Sequence, residues 1–339
     1  MNFFSTMTHD FDHEKHDLTG AFLHMYDCWS VQQIQNILSQ HGLPCVVMTD
    51  HMTLDHSLPP DVAGIFLPLF AARQARLWRP DDLFETRCLT DNAFGFIANK
   101  KTVIRSLSIR MIEILGLKDF AYTWSGLGRN NDLSLILEEI DQLGDRNPFT
   151  DKQKSALLEP IHLPVNWLGN KRNTDQTQES FYIYASNRQS WEQGLNQIFQ
   201  KSAVALIMES AVPQMEAVFT EKTVYSALGN NFPIWIGGYR HADRWKEFGF
   251  DVFDDVVDHS YQHYPTLVER CWYALWNNLD LLKDKERAVG LRKIHWSRLN
   301  HNRQKILSGQ LYTYSREKIQ ALPLLCRNHA KHVLDRLSR

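Results

Sequence analysis

The sequence lacks the short signatures of the commonest catalytic folds. It has no Walker loop, GxGxxG, HExxH or GxSxG element, which removes the commonest NTPase, dehydrogenase, metalloprotease and hydrolase readings. Its five cysteines, Cys28, Cys45, Cys88, Cys271 and Cys326, are odd in number, widely scattered and never arranged as CxxC. That argues against a disulfide framework and a thiolate zinc site, and leaves small core residues in a reducing compartment. No apolar run approaches the length that spans a bilayer. The start, MNFFSTMTHDFDHEKHD, has no basic segment followed by an apolar core, so the expectation is a soluble cytoplasmic protein. No internal repeat or low-complexity segment is present, and solenoids and propellers fall away.

What is present suits ordinary cores. Of 339 residues, 43% are hydrophobic and 22% charged, enough for two domains with a ligand expected in the cleft between them. The net charge of −2 hides an asymmetry: from Lys283 to Arg339 there are fourteen Lys and Arg against Asp284, Glu286, Glu317 and Asp335, a balance of +10 that leaves −12 for the rest. Such a basic segment either meets an anionic surface, nucleic acid or acidic membrane, or is a solvated helical face packed on the body.

Along the chain, strands and helices alternate. SVQQIQNILSQHG, with Val31, Ile34, Ile37 and Leu38 on one face, predicts a helix, followed by a strand over Cys45–Thr49 and a buried strand over Val62–Phe70. From Asp91 the pattern predicts a strand at Phe94–Ala98, a helix carrying Val103, Leu107, Met111 and Leu115, and a strand at Phe120–Trp124. That is a complete βαβ crossover, whose strand end and helix start commonly hold ligands. A polar, less regular region over 126–179 ends in a surface loop. Then come the strand FYIYASNR, the helix SWEQGLNQIFQKSA, the strand VALIMES, a short strand at Phe250–Phe253 and long C-terminal helices. The result is α/β: residues 1–90 as one unit, 91–282 as a second, and 283–339 as a basic helical tail.

The chemistry centres on FTEKTVYSALGNNFPIWIGG. Thr220 suits an N-cap, Glu221 suits the positive end of a helix dipole, and Gly229-Asn230-Asn231 stops the helix before a Pro-containing strand. Lys222 departs from that grammar, since a cation in a first helical turn opposes the dipole unless an anion is near. A cap alone and an anion site both remain open on these residues. Asp50-His51, at the end of the strand CVVMT, is the best-placed candidate for a general base, against the ordinary reading of a turn-forming Asp. The cluster His9, Asp10, Asp12, His13 and His16 has metal-capable types but precedes any predicted strand, and reads as a solvated segment. Asp254, Asp255 and Asp258 read as loop formers. No metal site is expected.

Three elements in order resemble the donor-binding domain of fucosyltransferase-type glycosyltransferases: Ile97-Ala98-Asn99 with Arg105 entering the next helix, Met208-Glu209-Ser210, and Phe219-Thr220-Glu221-Lys222 with Pro233-Ile234-Trp235-Ile236-Gly237-Gly238. The family's Asn beside the Glu is missing here. A second resemblance, to a group of mostly phage and bacterial proteins, runs through TEKT, FPIWIGG and WKEFGFDVFDDVVDHSY, departing at Val252 and at His259 in place of Glu. The two cover roughly 94–261, with His301-Asn302 as a later echo.

The resemblance implies a B-type architecture, two Rossmann-like domains facing a cleft with a helical C-terminal tail. It also implies transfer of a sugar from a nucleotide-sugar donor to a hydroxyl acceptor, a glycan or a modified DNA base, leaning toward inversion and without metal or other cofactor. Arg105 and Lys222 would flank the diphosphate, Asn99, Ser210 and Thr220 would donate hydrogen bonds, and Glu221 or Glu209 would accept from ribose or sugar hydroxyls. Asp50 and His51 would face them from the first domain. The compartment would be cytoplasm, a host's if the chain is viral. The competing expectation is a non-catalytic nucleotide-binding module that keeps a degenerate pocket and docks through its basic tail.

Overall fold

The computed structural model describes residues 3–5, 22–25, 36, 39–40, 46–49, 62–78, 92–98, 102–125, 134–159, 191, 195–209, 219–322 and 327. Strands β1 (Phe3–Ser5), β2 (Phe22–Met25), β3 (Val46–Thr49) and β4 (Ala63–Phe66) form a parallel sheet in the order 1-2-3-4. Helix α1 (Leu69–Ala75) follows at once. The apolar run over Val62–Phe70, expected as one strand, is therefore divided: the strand stops at Phe66, and Pro68, which cannot donate to a ladder, stands at the helix N-cap. Beyond it Ala71, Ala72 and Ala75 are buried, a helical spacing that carries past the end of the apolar run.

The second unit opens with β5 (Asn92–Ala98), α2 (Val103–Ile114) and β6 (Ala121–Ser125), the expected crossover. Next come α3 (Ser134–Gln142) and α4 (Asp151–Leu158), inside the region expected to be less regular. The second of them carried a legible start, since Thr150 and Gln153 form a reciprocal capping box. The chain continues through α5 (Asn196–Gln200), β7 (Ser202–Ile207), α6 (Glu221–Leu228), β8 (Phe232–Trp235), α7 (His241–Glu247) and α8 (Leu267–Trp276). It ends, within the described residues, in α9 (Leu279–Lys283), α10 (Lys285–Ile294), α11 (Trp296–Leu307) and α12 (Gln310–Gln320). The strands FYIYASNR and the surface loop before it fall outside the described residues.

This second sheet is also parallel, in the order 6-5-7-8. Its side chains alternate between two cores, as the two-residue period of a strand requires. Phe94, Phe96, Leu206, Phe232 and Ile234 join Ile104, Leu107 and Met111 of α2 on one face. Ile97, Ala205, Ile207 and Trp235 join Val224, Tyr225 and Leu228 of α6 on the other. Both faces are thus covered by helices, which is why these strands are apolar nearly throughout. Pro233 pairs in register with Ala205 on β8, an edge strand of this sheet, where its missing N–H costs no inner ladder bond.

The short strand expected at Phe250–Phe253 is not formed. A side chain takes the place of a neighbouring strand: Asn302 accepts from the Asp251 N–H at 3.0 Å and donates to the Asp251 carbonyl at 2.7 Å. Phe253 then turns the chain with a positive φ of 63°, a conformation that ends any extended run.

The segment expected as a basic tail is described as far as Leu322. Over Lys285–Gln320 its helices lie against the second unit, with Ala288 and Leu299 in one core and Ile306, Leu307 and Leu311 in the other. Several of its cations are spent internally. Arg292, 1% exposed, donates to the carbonyls of Gly229, Asn230 and Gln200, so it fastens α10 to the turn that ends α6. Arg298 pairs with both Asp251 and Asp255. At the far end α12 reaches α1, where Arg76 lies 5.1 Å from the Tyr312 ring. No helix among the described residues is long and apolar enough to cross a membrane.

Candidate functional site

The order 6-5-7-8 places the first strand of the sheet, β5, in the middle. From it the chain steps outward to β6, then returns to the opposite side for β7 and β8. In parallel α/β sheets the connections on the two sides of such a reversal lie on opposite faces, and a crevice opens outside the carboxyl ends of the two central strands. Here those ends are Ala98 of β5 and Ile207 of β7. The expected site residues follow each of them.

Arg105, in the first turn of α2, is 3% exposed and reaches the end of β7: its Nε and Nη2 donate to the Met208 carbonyl, each at 3.4 Å. Glu209, the next residue, is equally buried. Its Oε1 accepts from the Thr220 N–H at 2.9 Å and from the Thr223 hydroxyl at 2.8 Å, while its Oε2 accepts a short bond from the Thr220 hydroxyl. One carboxylate therefore ties the end of β7 to the first turn of α6. Thr220 is the N-cap, accepting from the Lys222 N–H at 3.4 Å, and Glu221 opens the helix as the dipole prefers.

Lys222 is 6% exposed. Its ammonium lies 2.7 Å from Glu221 Oε1, 3.3 Å from the Thr220 hydroxyl and 4.0 Å from Glu209 Oε2. The cation that looked out of place in a first helical turn thus has carboxylate partners of its own. Burial raises the Glu209 carboxyl above the ordinary range, opposed by Lys222 and by the bonds from Thr220. Burial pushes Glu221 upward as well, but the charge and hydrogen bond of Lys222, with a contribution from Arg105, outweigh it and hold Glu221 low. Two cations, Arg105 and Lys222, and two carboxylates, Glu209 and Glu221, thus share this corner.

Of the nine expected site residues, Arg105, Glu209, Thr220, Glu221 and Lys222 come together. Asn99, Ser210, Asp50 and His51 lie outside the described residues. The metal-capable cluster from His9 to His16 does too, and among the described residues no group of three or more His, Cys, Asp or Glu is arranged to hold a metal ion. Sequence reasoning missed Thr223 and Trp235. Thr223 accepts from the Trp235 indole N–H at 3.0 Å while donating to Glu209. The signal was available, since Thr223 stands three residues after Thr220, on the same side of the helix.

The first sheet meets this corner through aromatic rings. Phe66, the last residue of β4, lies 6.5 Å from Phe219 and 6.0 Å from Phe248 between ring centroids, and Phe219 directly precedes Thr220. Thr49, the chain neighbour of Asp50, pairs in register with Phe66. The end of β4 therefore lies beside the residue that precedes α6.

A cavity of about 540 Å³ lies elsewhere, lined by Asp243, Asp254, Asp255, Asp258 and His263 among others. Its acids are largely answered by its neighbours: Lys246 pairs with Asp254 at 2.6 Å and Arg298 with Asp255 at 2.7 Å. None of the expected site residues lines it. Compared with protein-family models, with curated proteins and with solved structures, the chain matches none.

Proposed function

We propose that this chain is a glycosyltransferase that moves a sugar from a nucleotide-sugar donor to a hydroxyl acceptor, a glycan or a modified DNA base, across two Rossmann-like units facing a cleft. The observation that carries the reading is the convergence of Arg105, Glu209 and the Thr220–Lys222 helix start on the reversal point of the second sheet. A diphosphate leaving group needs positive charge and N–H donors held in place before it departs. The start of α6 offers both.

On arrival of the donor, Lys222 would exchange Glu221 for a phosphate oxygen. Glu221, released, would accept from a ribose or sugar hydroxyl, while Glu209 already holds the Thr220 N–H and the two threonine hydroxyls. Arg105 would steady the diphosphate from across the crevice, with Asn99 and Ser210 donating hydrogen bonds. In the transfer itself the acceptor oxygen attacks the anomeric carbon and the bond to the diphosphate breaks. The acceptor proton passes to Asp50 or His51 of the first unit, a single displacement that inverts the anomeric centre. The charge is carried by side chains and a helix start, so the reading needs no metal.

The internal pairing of Lys222 with Glu221 favours a second reading, a nucleotide-binding module without catalysis. Incubation with a panel of sugar nucleotides separates the two. The enzyme releases nucleoside diphosphate in the presence of acceptor or, slowly, of water, whereas the module is stabilised thermally by nucleotide without turnover. If Lys222→Ala and Arg105→Ala bind every donor as tightly as the wild type, the pocket assignment fails.

A further inference from the structure

The hydrogen bonds around Glu209 run in one direction. An indole nitrogen only donates, so Trp235 Nε1–H fixes the Thr223 hydroxyl as its acceptor at 3.0 Å. A hydroxyl has one proton, and that of Thr223 then goes to Glu209 Oε1 at 2.8 Å. From the other side Lys222 donates to the Thr220 hydroxyl through both its backbone N–H and its ammonium, and Thr220 passes its own proton to Glu209 Oε2. Two donor chains, one from β8 and one from the start of α6, therefore converge on a single carboxylate at the end of β7. Thr223 is 1% exposed and Trp235 fully buried, so water cannot replace either link.

We infer that Thr223 is a positioning residue: acting through Glu209, it fixes the first turn of α6 and with it the place of Lys222. Thr223 faces the buried carboxylate and the indole, not the crevice, and reaches a ligand only through these bonds. Loss of its hydroxyl leaves Glu209 Oε1 with one donor and the indole with no acceptor, and the carboxylate is free to turn away from the cap. A shift of the order of 1 Å at a charge-positioning group is costly to a site of this kind. The inference rests on the nucleotide reading of the site, and its failure is distinguishable from that reading's failure.

The test uses the full chain, with uridine and guanosine diphosphate as probes and two readouts, dissociation constant and melting temperature. Thr223→Val keeps the shape and removes only the hydroxyl, and it is expected to weaken binding by about tenfold or more while the protein stays folded at the assay temperature. Thr223→Ser restores the donor and should bind within about threefold of wild type. A purely structural role would lower the melting temperature of Thr223→Val and leave its affinity unchanged, which overturns the inference, as does a serine variant that loses as much as the valine. Should Thr223→Val not fold, Trp235→Phe breaks the chain one bond earlier. A loss of about threefold is then expected, and unchanged affinity overturns the positioning role. A wild type that binds neither diphosphate overturns the nucleotide reading itself, and the positioning role with it.

Discussion

Among the described residues each sheet has four parallel strands, yet the two differ in order. The first runs 1-2-3-4 and the second 6-5-7-8. With right-handed crossovers, steps that all go the same way put their connections on one face, while a reversal puts them on both. The described strands of the first sheet have no reversal and so no crevice of their own, and this sheet contributes an edge, marked by Phe66. The second has its reversal between β6 and β7 about the central β5, and buried charge of both signs meets there. Arg105, Glu209 and Lys222 are each no more than 6% exposed, a placement that core packing alone does not reward. Among the described strands, the order of the second sheet is the one that brings the proposed site residues together.

The comparison can be broken from either side. The largest effect is expected from Arg292→Met, which takes a donor from two buried carbonyls and one half-buried carbonyl at the junction of α10 with the turn after α6. Denaturant unfolding should show the second unit destabilised by about 3 kcal/mol or more. Lys222→Ala comes next: donor affinity should fall roughly 10- to 100-fold by calorimetry, the range of a charge-assisted contact. Phe66→Ala removes one of the aromatic contacts between the units, leaving those of Trp78 with Trp191 and Tyr225. A loss of about 1–2 kcal/mol is expected, together with faster proteolysis of the first unit while the second remains resistant. Equal protease sensitivity of both units would mean that this contact is not where the two are joined.

The smallest effect is a pH dependence. His259 bonds the Val252 carbonyl through Nε2 at 2.9 Å, and burial, only partly opposed by that bond, lowers its pKa from the ordinary 6.5. The unfolded chain then binds a proton that the folded chain refuses, so stability is complete above pH 6.5 and declines as the pH falls below it. Melting curves should therefore separate below pH 6.5, with His259→Gln losing less than wild type by up to about 1 kcal/mol.

The second sheet was the more legible of the two regions for a physical reason. Its strands are continuous apolar runs bounded by polar turns, and its α6 start carries Thr220 and Glu221 where capping requires them. The split at Pro68 and the missing strand at Phe250–Phe253 were not legible. An apolar run is compatible with strand or helix until its partners are known, and the amide of Asn302, 51 residues away, decides the second case. The more distant carboxylate near Lys222, Glu209, escaped for a similar reason. Glu209 reaches the first turn of α6 only because β7 and α6 are brought together by the fold. The basic balance after Lys283 was visible, but its destination, carbonyls and aspartates of the second unit, was not.

Hydrogen exchange with and without a bound nucleoside diphosphate tests the central claim most directly. The account predicts slowed exchange at the carboxyl ends of β5 and β7 and in the first turns of α2 and α6, around Ala98, Arg105, Glu209 and Lys222, with β1–β4 unchanged. Slowing confined to the first sheet, or to the acidic loop at Asp254–Asp258, would contradict it.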